Sequence, residues 1–428
     1  MLLEENKPLA PFTTFGIGGP ARWFVEAASE DEVVAATAWA RERGTRLFVL
    51  GGGSNLLVSD AGFDGLVLRV GLRGIVVAPV EDQDDCSSRI PAEHTSGAKA
   101  QAQSAAFAAR LKPHSIDEDL SMGTPVKSCP DTKQGFSAAC KALTYQVAAG
   151  EDWEHCVQQT IEDGCAGLEC LAGIPGTVGG TPVQNVGAYG QEVASVIERV
   201  RAFDLRQEAF VEFTAAECGF SYRRSRFNSV DRGRYIVTRV DYRLTPGGAP
   251  TLRYAELERA VLESRPEGGE ASLAEVAAVV RRVRRSKGML LVDGDPDCRS
   301  AGSFFKNPVV SEEQVRRIAE CSEKEPPRFP AEEGAGNIGL VKVPAAWLIE
   351  QAGFKKGYAL GAAGISSRHT LALVNRGGAS AAEILALADR ITDAVEARFG
   401  IRLEMEPVMV GFVLSQVSES RPGAPNSM

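Results

Sequence analysis

Ser303 sits in Ala301-Gly-Ser-Phe-Phe-Lys-Asn-Pro308 and Glu406 closes Leu403-Glu-Met-Glu406, two short motifs far apart in the chain. Two glycine-rich stretches precede them, Gly51-Gly-Gly-Ser-Asn55 and the run from Gly164 to Gly190, which holds eight glycines. Glycine lets backbone amides approach an anion without Cβ obstruction, as in the cradling of a pyrophosphate. A hydroxyl that can give a proton, a carboxylate that can polarise a substrate and a phosphate cradle together suggest redox chemistry on a carbon–carbon double bond. The usual nucleotide motifs do not identify the ligand: the Gly51 loop lacks a G-K-[ST] ending and neither stretch fits G-x-G-x-x-G. Composition alone fits a pair of tight turns in a β-rich domain equally well. By residue type alone, Ser303 also reads as a turn cap and Glu406 as an edge-strand charge.

The elements that must position these groups are legible in outline. Ser29-Glu-Asp-Glu32 is a capping box, so a helix is expected from there to about Arg43, stopped by Gly44. Leu47 to Leu50 then reads as a buried strand that delivers the first glycine loop. Strand alternation continues from Leu66 to Val77 and resumes near Tyr145 to Ala149. Between them, Val80 to Thr144 is rich in Asp, Ser, Ala, Gln and Lys, with a helix expected around Ala98 to Leu111. It reads as an insertion into a hairpin connection, a flexible surface excursion rather than a lid. Val193 to Leu244 has strand character. Ala271 to Lys287 reads as an amphipathic helix, with Leu273, Val276, Val280 and Val283 on one face and a dense basic face opposite. A second capping box, Ser380 to Glu383, opens a helix with Ile384, Ala388, Ile391 and Val395 as its buried stripe. Residues after Gly411 read as a tail.

With 428 residues and 44% hydrophobic content, the chain can form two or three domains with their own cores. No run approaches a membrane-spanning helix and the N-terminus carries no signal pattern, so a cytoplasmic location is expected. The net charge of −9 argues against a nucleic-acid partner, and a phosphate-bearing ligand must be met by local cations. Nine cysteines without a C-x-x-C pair and only four histidines give no pattern for a metal centre or a disulfide framework.

Five segments carry a specific resemblance: Leu50-Gly-Gly-Gly-Ser-Asn-Leu-Leu57, Ile174 to Glu192, Ser221-Tyr-Arg-Arg-Ser-Arg-Phe227, Ala301 to Pro308 and Leu403 to Glu406. In this order they are similar to the motifs of the UDP-N-acetylenolpyruvoylglucosamine reductase family, flavoenzymes of peptidoglycan precursor synthesis. The resemblance covers about Pro11 to Gly411 apart from Val80 to Thr144. It implies an α+β protein with a two-lobed FAD-binding domain of the vanillyl-alcohol-oxidase (PCMH) type and a C-terminal α+β substrate-binding domain. The implied divisions are lobe 1 over 1–79, the insertion over 80–144, lobe 2 over 145–247, the C-terminal domain over 248–411 and the tail over 412–428. It also implies NADPH as reductant and UDP-N-acetylglucosamine enolpyruvate as substrate; the expected state is a monomer.

Residue by residue, the resemblance makes Ser303 the proton donor and sets Glu406 and Arg223 against the substrate carboxylate and enolate. FAD would be held by Gly51, Gly52, Gly53, Ser54 and Asn55. The second stretch would add Gly173, Ile174, Pro175, Gly176, Gly179, Gly180, Gln184, Asn185, Gly187, Ala188 and Tyr189. Lys287 and Asn307 match positions that hold the UDP diphosphate, and Tyr254 resembles the tyrosine of the loop-bearing subtype that closes over it. Tyr222 is similar to a residue lining the nicotinamide and substrate channel, and His369 falls near the substrate. By type, Arg223 also reads as a solvated cation, Tyr254 as a core anchor and Lys287 as a helix-end charge. Two other functions stay open at this level: an oxygen-using oxidoreductase on the same flavin scaffold, and a UDP-sugar-binding protein without turnover.

Overall fold

The computed structural model describes residues 1–80, 142–265, 268–322, 324–331 and 339–412. The expected helix around Ala98 to Leu111 and the C-terminal tail lie outside the described residues.

The N-terminal part builds two sheets. In the first, β1 (Glu4–Pro8), β2 (Pro20–Ala27), β5 (Phe63–Val70) and β3 (Leu47–Leu50) lie in that spatial order, with β5 parallel to both its neighbours. Helix α1 (Glu30–Glu42) makes the crossover from β2 to β3 and begins where the capping box predicts, the Ser29 side chain accepting from the Glu32 N–H. Its buried stripe of Val33, Ala36 and Ala40 packs on the sheet. The second sheet orders β12 (Ala209–Thr214), β11 (Ile197–Asp204), β13 (Tyr235–Pro246), β7 (Leu143–Ala148) and β6 (Ile75–Pro79), all antiparallel, with the short β8 (Cys165–Ala166) on the end of β13. Since Pro79 lies opposite Leu143, residues 80–142 do connect the two arms of a hairpin. Helix α2 (Trp153–Glu162) follows β7, and a tight hairpin of β9 (Gly187–Ala188) and β10 (Gln191–Glu192) closes the second glycine stretch.

Helices α3 (Ala255–Glu263) and α4 (Leu273–Ser286) follow β13, and both bury their apolar faces in the large core shared by α1, α2 and the second sheet. They fall on the C-terminal side of the division expected at residue 248, yet they pack with the lobes before it. A separate core forms from residue 301 onward. It joins α5 (Glu312–Glu320), α6 (Ala345–Gln351) and α7 (Ala381–Phe399) to a sheet of β14 (Val309–Ser311), β16 (Leu340–Lys342) and β15 (Phe329–Pro330), and to another of β17 (Ala359–Leu360), β18 (Ala363–Ile365) and β19 (Leu373–Asn375). Phe15, Ile17 and Leu57 from the first lobe enter that core. The chain then returns as β20 (Val408–Val410), which pairs in parallel with β4 (Leu56–Val58), so this strand is hydrogen-bonded beside the first glycine loop. Among the described residues no helix is long and apolar enough to cross a membrane.

Candidate functional site: a cleft between the glycine loops and the C-terminal domain

The short motifs meet because three separate backbone pairings force them together. Val408 N–H donates to Asn55 O at 2.9 Å, which sets Glu406 beside the first glycine loop. Glu406 N–H donates to Phe304 O and Lys306 N–H to Glu404 O, each at 2.9 Å, which sets Ser303 beside Glu406. The result is a cleft lined by Ser54, Asn55, Ile174, Pro175, Gln184, Gly187, Arg223, Ser303 and Glu406 among others. Ser303, Glu406 and Arg223, named from the sequence, thus share one space.

Arg223 Nε lies 3.4 Å from Glu406 Oε1, and its Nη2 donates to Gly187 O at 2.9 Å. Burial pushes the Glu406 carboxyl above its usual range, and Arg223 and Lys306 oppose that shift. Glu406 is therefore a carboxyl group held close to a cation in a poorly solvated site, suited to sharing a substrate anion with Arg223 rather than repelling it. The Asn55 amide donates to Gln184 Oε1 at 2.6 Å and ties the two glycine stretches together across the cleft.

The glycines are required by close approach. A Cβ on Gly52 would lie 2.4 Å from Gly176 Cα, and one on Gly53, at φ +65°, would lie 1.7 Å from Phe12 O. Gly179 packs on Ala149, and its N–H donates to Ala149 O at 2.8 Å. Gly180 has no neighbour within 4 Å of its would-be Cβ. A second cleft runs past Gly51 and Gly52 along Phe12, Thr14, Arg69 and residues 291–295, sharing Leu291 and Cys298 with the first. Two clefts joined across stacked glycine loops fit an elongated cofactor that bears a pyrophosphate.

One functional residue was missed. Arg284, not singled out within the basic helix Ala271 to Lys287, is only 6% exposed and lines the cleft. Its Nε donates to Gly173 O at 3.0 Å and its Nη2 to Met289 O at 2.7 Å, so its bonded partners are carbonyls, with desolvation pulling its pKa below the usual arginine value. A buried guanidinium that, among the described residues, bonds to carbonyls suits an electronegative or anionic ligand group, which makes the chemistry of the cleft fit a flavin or a phosphate. The signal was present in the spacing, since 276, 280 and 284 recur at helical period on the buried face. Gly173 is held from the other side as well, its N–H donating to Glu154 Oε2 at 2.5 Å.

The remaining expected residues fall into two groups. Tyr189, Tyr254 and Lys287 come together beside the cleft wall: the two rings are 5.7 Å apart edge to face, and Lys287 Nζ is 6.0 Å from the Tyr189 centroid. Lys287 also pairs with Glu256 at 2.6 Å, and burial pushes the Tyr189 hydroxyl up to about 12. Tyr254 is 44% exposed at the start of α3, so it is not a core anchor. Burial, helped by the nearby charges of Lys287 and Lys356, holds the His369 pKa down at about 4. Elsewhere, Asn307 Oδ1 accepts the Ala345 N–H at the start of α6, and Lys342 Nζ stands 3.7 Å from the Tyr222 ring centroid. Asn185 is 1% exposed, and its amide is spent on Glu192, Ala194 and Ser221. Its side chain is turned into the protein, and Ala188 belongs to the β9–β10 hairpin.

This two-lobed scaffold with joined clefts defines a dinucleotide-binding protein with an appended C-terminal domain. Residues 21–123 and 133–210 match the family model described as an FAD binding domain, a span that includes much of the segment between β6 and β7. Residues 295–410 match the model described as UDP-N-acetylenolpyruvoylglucosamine reductase, C-terminal domain. The chain is 39% identical to the UDP-N-acetylenolpyruvoylglucosamine reductase of Thermobifida fusca over 96% of this chain and 98% of that one. It is 41% identical to that of Streptomyces coelicolor over 96% and 91%. The solved structure of the UDP-N-acetylenolpyruvylglucosamine reductase of Thermus caldophilus aligns with a TM-score of 0.54 at 25% identity, covering 96% of this chain and all of that one. The chain belongs to the UDP-N-acetylenolpyruvoylglucosamine reductase family.

Proposed function

We propose that this protein reduces the enolpyruvyl ether of UDP-N-acetylglucosamine enolpyruvate to UDP-N-acetylmuramate with NADPH, as a step of peptidoglycan precursor synthesis in the cytoplasm. The observation that carries this reading is the convergence of Ser303, Arg223 and Glu406 in one cleft against both glycine loops. FAD bound there would carry hydride from NADPH to the terminal carbon of the enolpyruvyl group. The chain supplies everything else. Arg223, braced by Glu406 at 3.4 Å, would take the substrate carboxylate, whose charge grows as the enolate forms. Arg284 supports that side of the cleft with a second, desolvated cation. Ser303 would give its proton to the carbon bearing the ether oxygen, and the serine would recover a proton from solvent. Lys287 would meet the diphosphate with its charge and Tyr254 would cover it with its ring.

An anaerobic experiment tests this. The flavin-loaded protein is reduced with NADPH, the enolpyruvyl nucleotide is added, and the oxidised flavin band is followed while product is assayed. Its return together with UDP-N-acetylmuramate is expected. Reduction without return would leave a flavoprotein with another electron acceptor, and purified protein without flavin that still bound the nucleotide would move the weight to a binding role. Ser303→Ala should keep flavin and its reduction by NADPH but slow reoxidation by the nucleotide roughly ten-thousand-fold. Near-normal reoxidation in that variant would remove Ser303 from the proton step.

A further inference from the structure

We infer that Asn228 and Asn185 are positioning residues for Arg223, fixing the turn that aims its guanidinium into the cleft. This rests on the proposal above that Arg223 meets the substrate carboxylate. The turn is an unfavourable one for its sequence. Ser221 and Arg224 close it with a backbone hydrogen bond in each direction, both at 3.0 Å, and Arg223 occupies a corner at φ +54°, a region that favours glycine. A long side chain persists there only if the surroundings over-determine it.

Side-chain amides supply that constraint. Asn228 Nδ2 donates to Arg223 O at 3.1 Å while its Oδ1 accepts the Ser225 N–H at 2.9 Å, so one amide spans the residues on either side of Arg224. Asn185 Nδ2 donates to Ser221 O at 3.2 Å, and Asn185 is itself locked by Glu192 Oε2 at 2.7 Å and the Ala194 N–H at 3.1 Å. Ser225 Oγ donates to Val183 O at 2.6 Å. With the bond from Arg223 to Gly187 O, these contacts tie the turn to residues 183–187, the same stretch whose Gln184 and Gly187 line the cleft. The guanidinium is therefore referenced to the second glycine stretch rather than to the strands that flank its own turn. Neither Asn185 nor Asn228 lines the cleft, so each acts through Arg223.

The test uses the flavin-loaded full chain and a double-mutant cycle of Asn228→Ala with Arg223→Ala, following each half-reaction separately. Asn228→Ala is expected to leave reduction by NADPH unchanged and to slow reoxidation by the enolpyruvyl nucleotide roughly ten- to hundred-fold, the scale of a small misplacement of a binding group. In the Arg223→Ala background it should add no further loss, because the two changes remove one interaction. Asn228→Asp, which keeps the acceptor for Ser225 but sets a charged acceptor in place of the donor to Arg223 O, gives the same comparison if the alanine variant is insoluble. Equal slowing of both half-reactions, or a penalty that adds in full to that of Arg223→Ala, would reduce Asn228 to an ordinary structural residue. If the unmodified protein is not reoxidised by the nucleotide at all, the proposed function fails first and this inference falls with it.

Discussion

His369 shows how one side chain couples site and stability. In the folded protein it stays neutral down to about pH 4, whereas a free histidine takes a proton near 6.5. Between those values the unfolded chain binds more protons, so folding stability is present in full above 6.5 and is lost progressively as pH falls toward 4. The loss from this group is on the order of 3 kcal/mol. His369→Gln should flatten that part of the profile, read from urea midpoints at pH 7 and pH 4.5; an unchanged slope would assign the acid sensitivity to other groups. Burial, with the charges of Lys287 and Lys356, keeps this ring neutral at pH 7. Arg223 shows the other side of residue-level design, since it occupies a left-handed backbone position that costs about 1 kcal/mol or more and is held there by amides that never reach the cleft.

At the scale of elements, the two glycine loops are a contact between backbones before they are a ligand site. Gly52 against Gly176 leaves no room for a methyl group, so Gly52→Ala should destabilise the fold by about 1–3 kcal/mol and weaken flavin retention together. Gly180→Ala meets no protein atom and should leave the melting temperature of the flavin-free protein unchanged. Comparing flavin content and melting temperature for the pair separates packing from ligand approach. Gly52→Ala with normal stability would show that the loops move apart at little cost. Helix α4 has a similar double duty, with Val276, Val280 and Val283 in the large core and Arg284 on the same buried side reaching the cleft.

The whole molecule is held as one body by links between its first and last segments. Besides the β4–β20 pairing, the Asp60 carboxylate accepts the N–H groups of Ala381 and Ala382 at 2.7 and 3.0 Å, and Asn375 Nδ2 donates to Phe15 O at 3.0 Å. Asp60 thus supplements Ser380 at the start of α7 from a distant part of the chain, where a negative charge is favoured by the helix dipole. Asp60→Ala should cost roughly 1–2 kcal/mol in urea unfolding, and Asp60→Asn less because an acceptor remains. Equal losses would show that charge rather than hydrogen bonding is what Asp60 contributes. Since Ser303 and Glu406 are set by separate backbone bonds, the alanine variant should keep turnover as long as it stays folded.

The sequence by itself determined the pieces whose causes are short-range. The Ser29 cap and the capping box at Ser380 placed the starts of α1 and α7, Leu47 to Leu50 was a strand, and helical spacing marked the apolar stripe of α4. Each follows from contacts a few residues apart. Ordered motifs also gave the family and the three residues that meet in the cleft. Tertiary structure alone decided which carbonyls the Arg284 guanidinium meets, that Asn185 serves the Arg223 turn, and that α3 and α4 join the large core. These depend on partners far away in the chain, such as Ser221 for Asn185 and Gly173 for Arg284, and no local pattern specifies which distant backbone a side chain will meet.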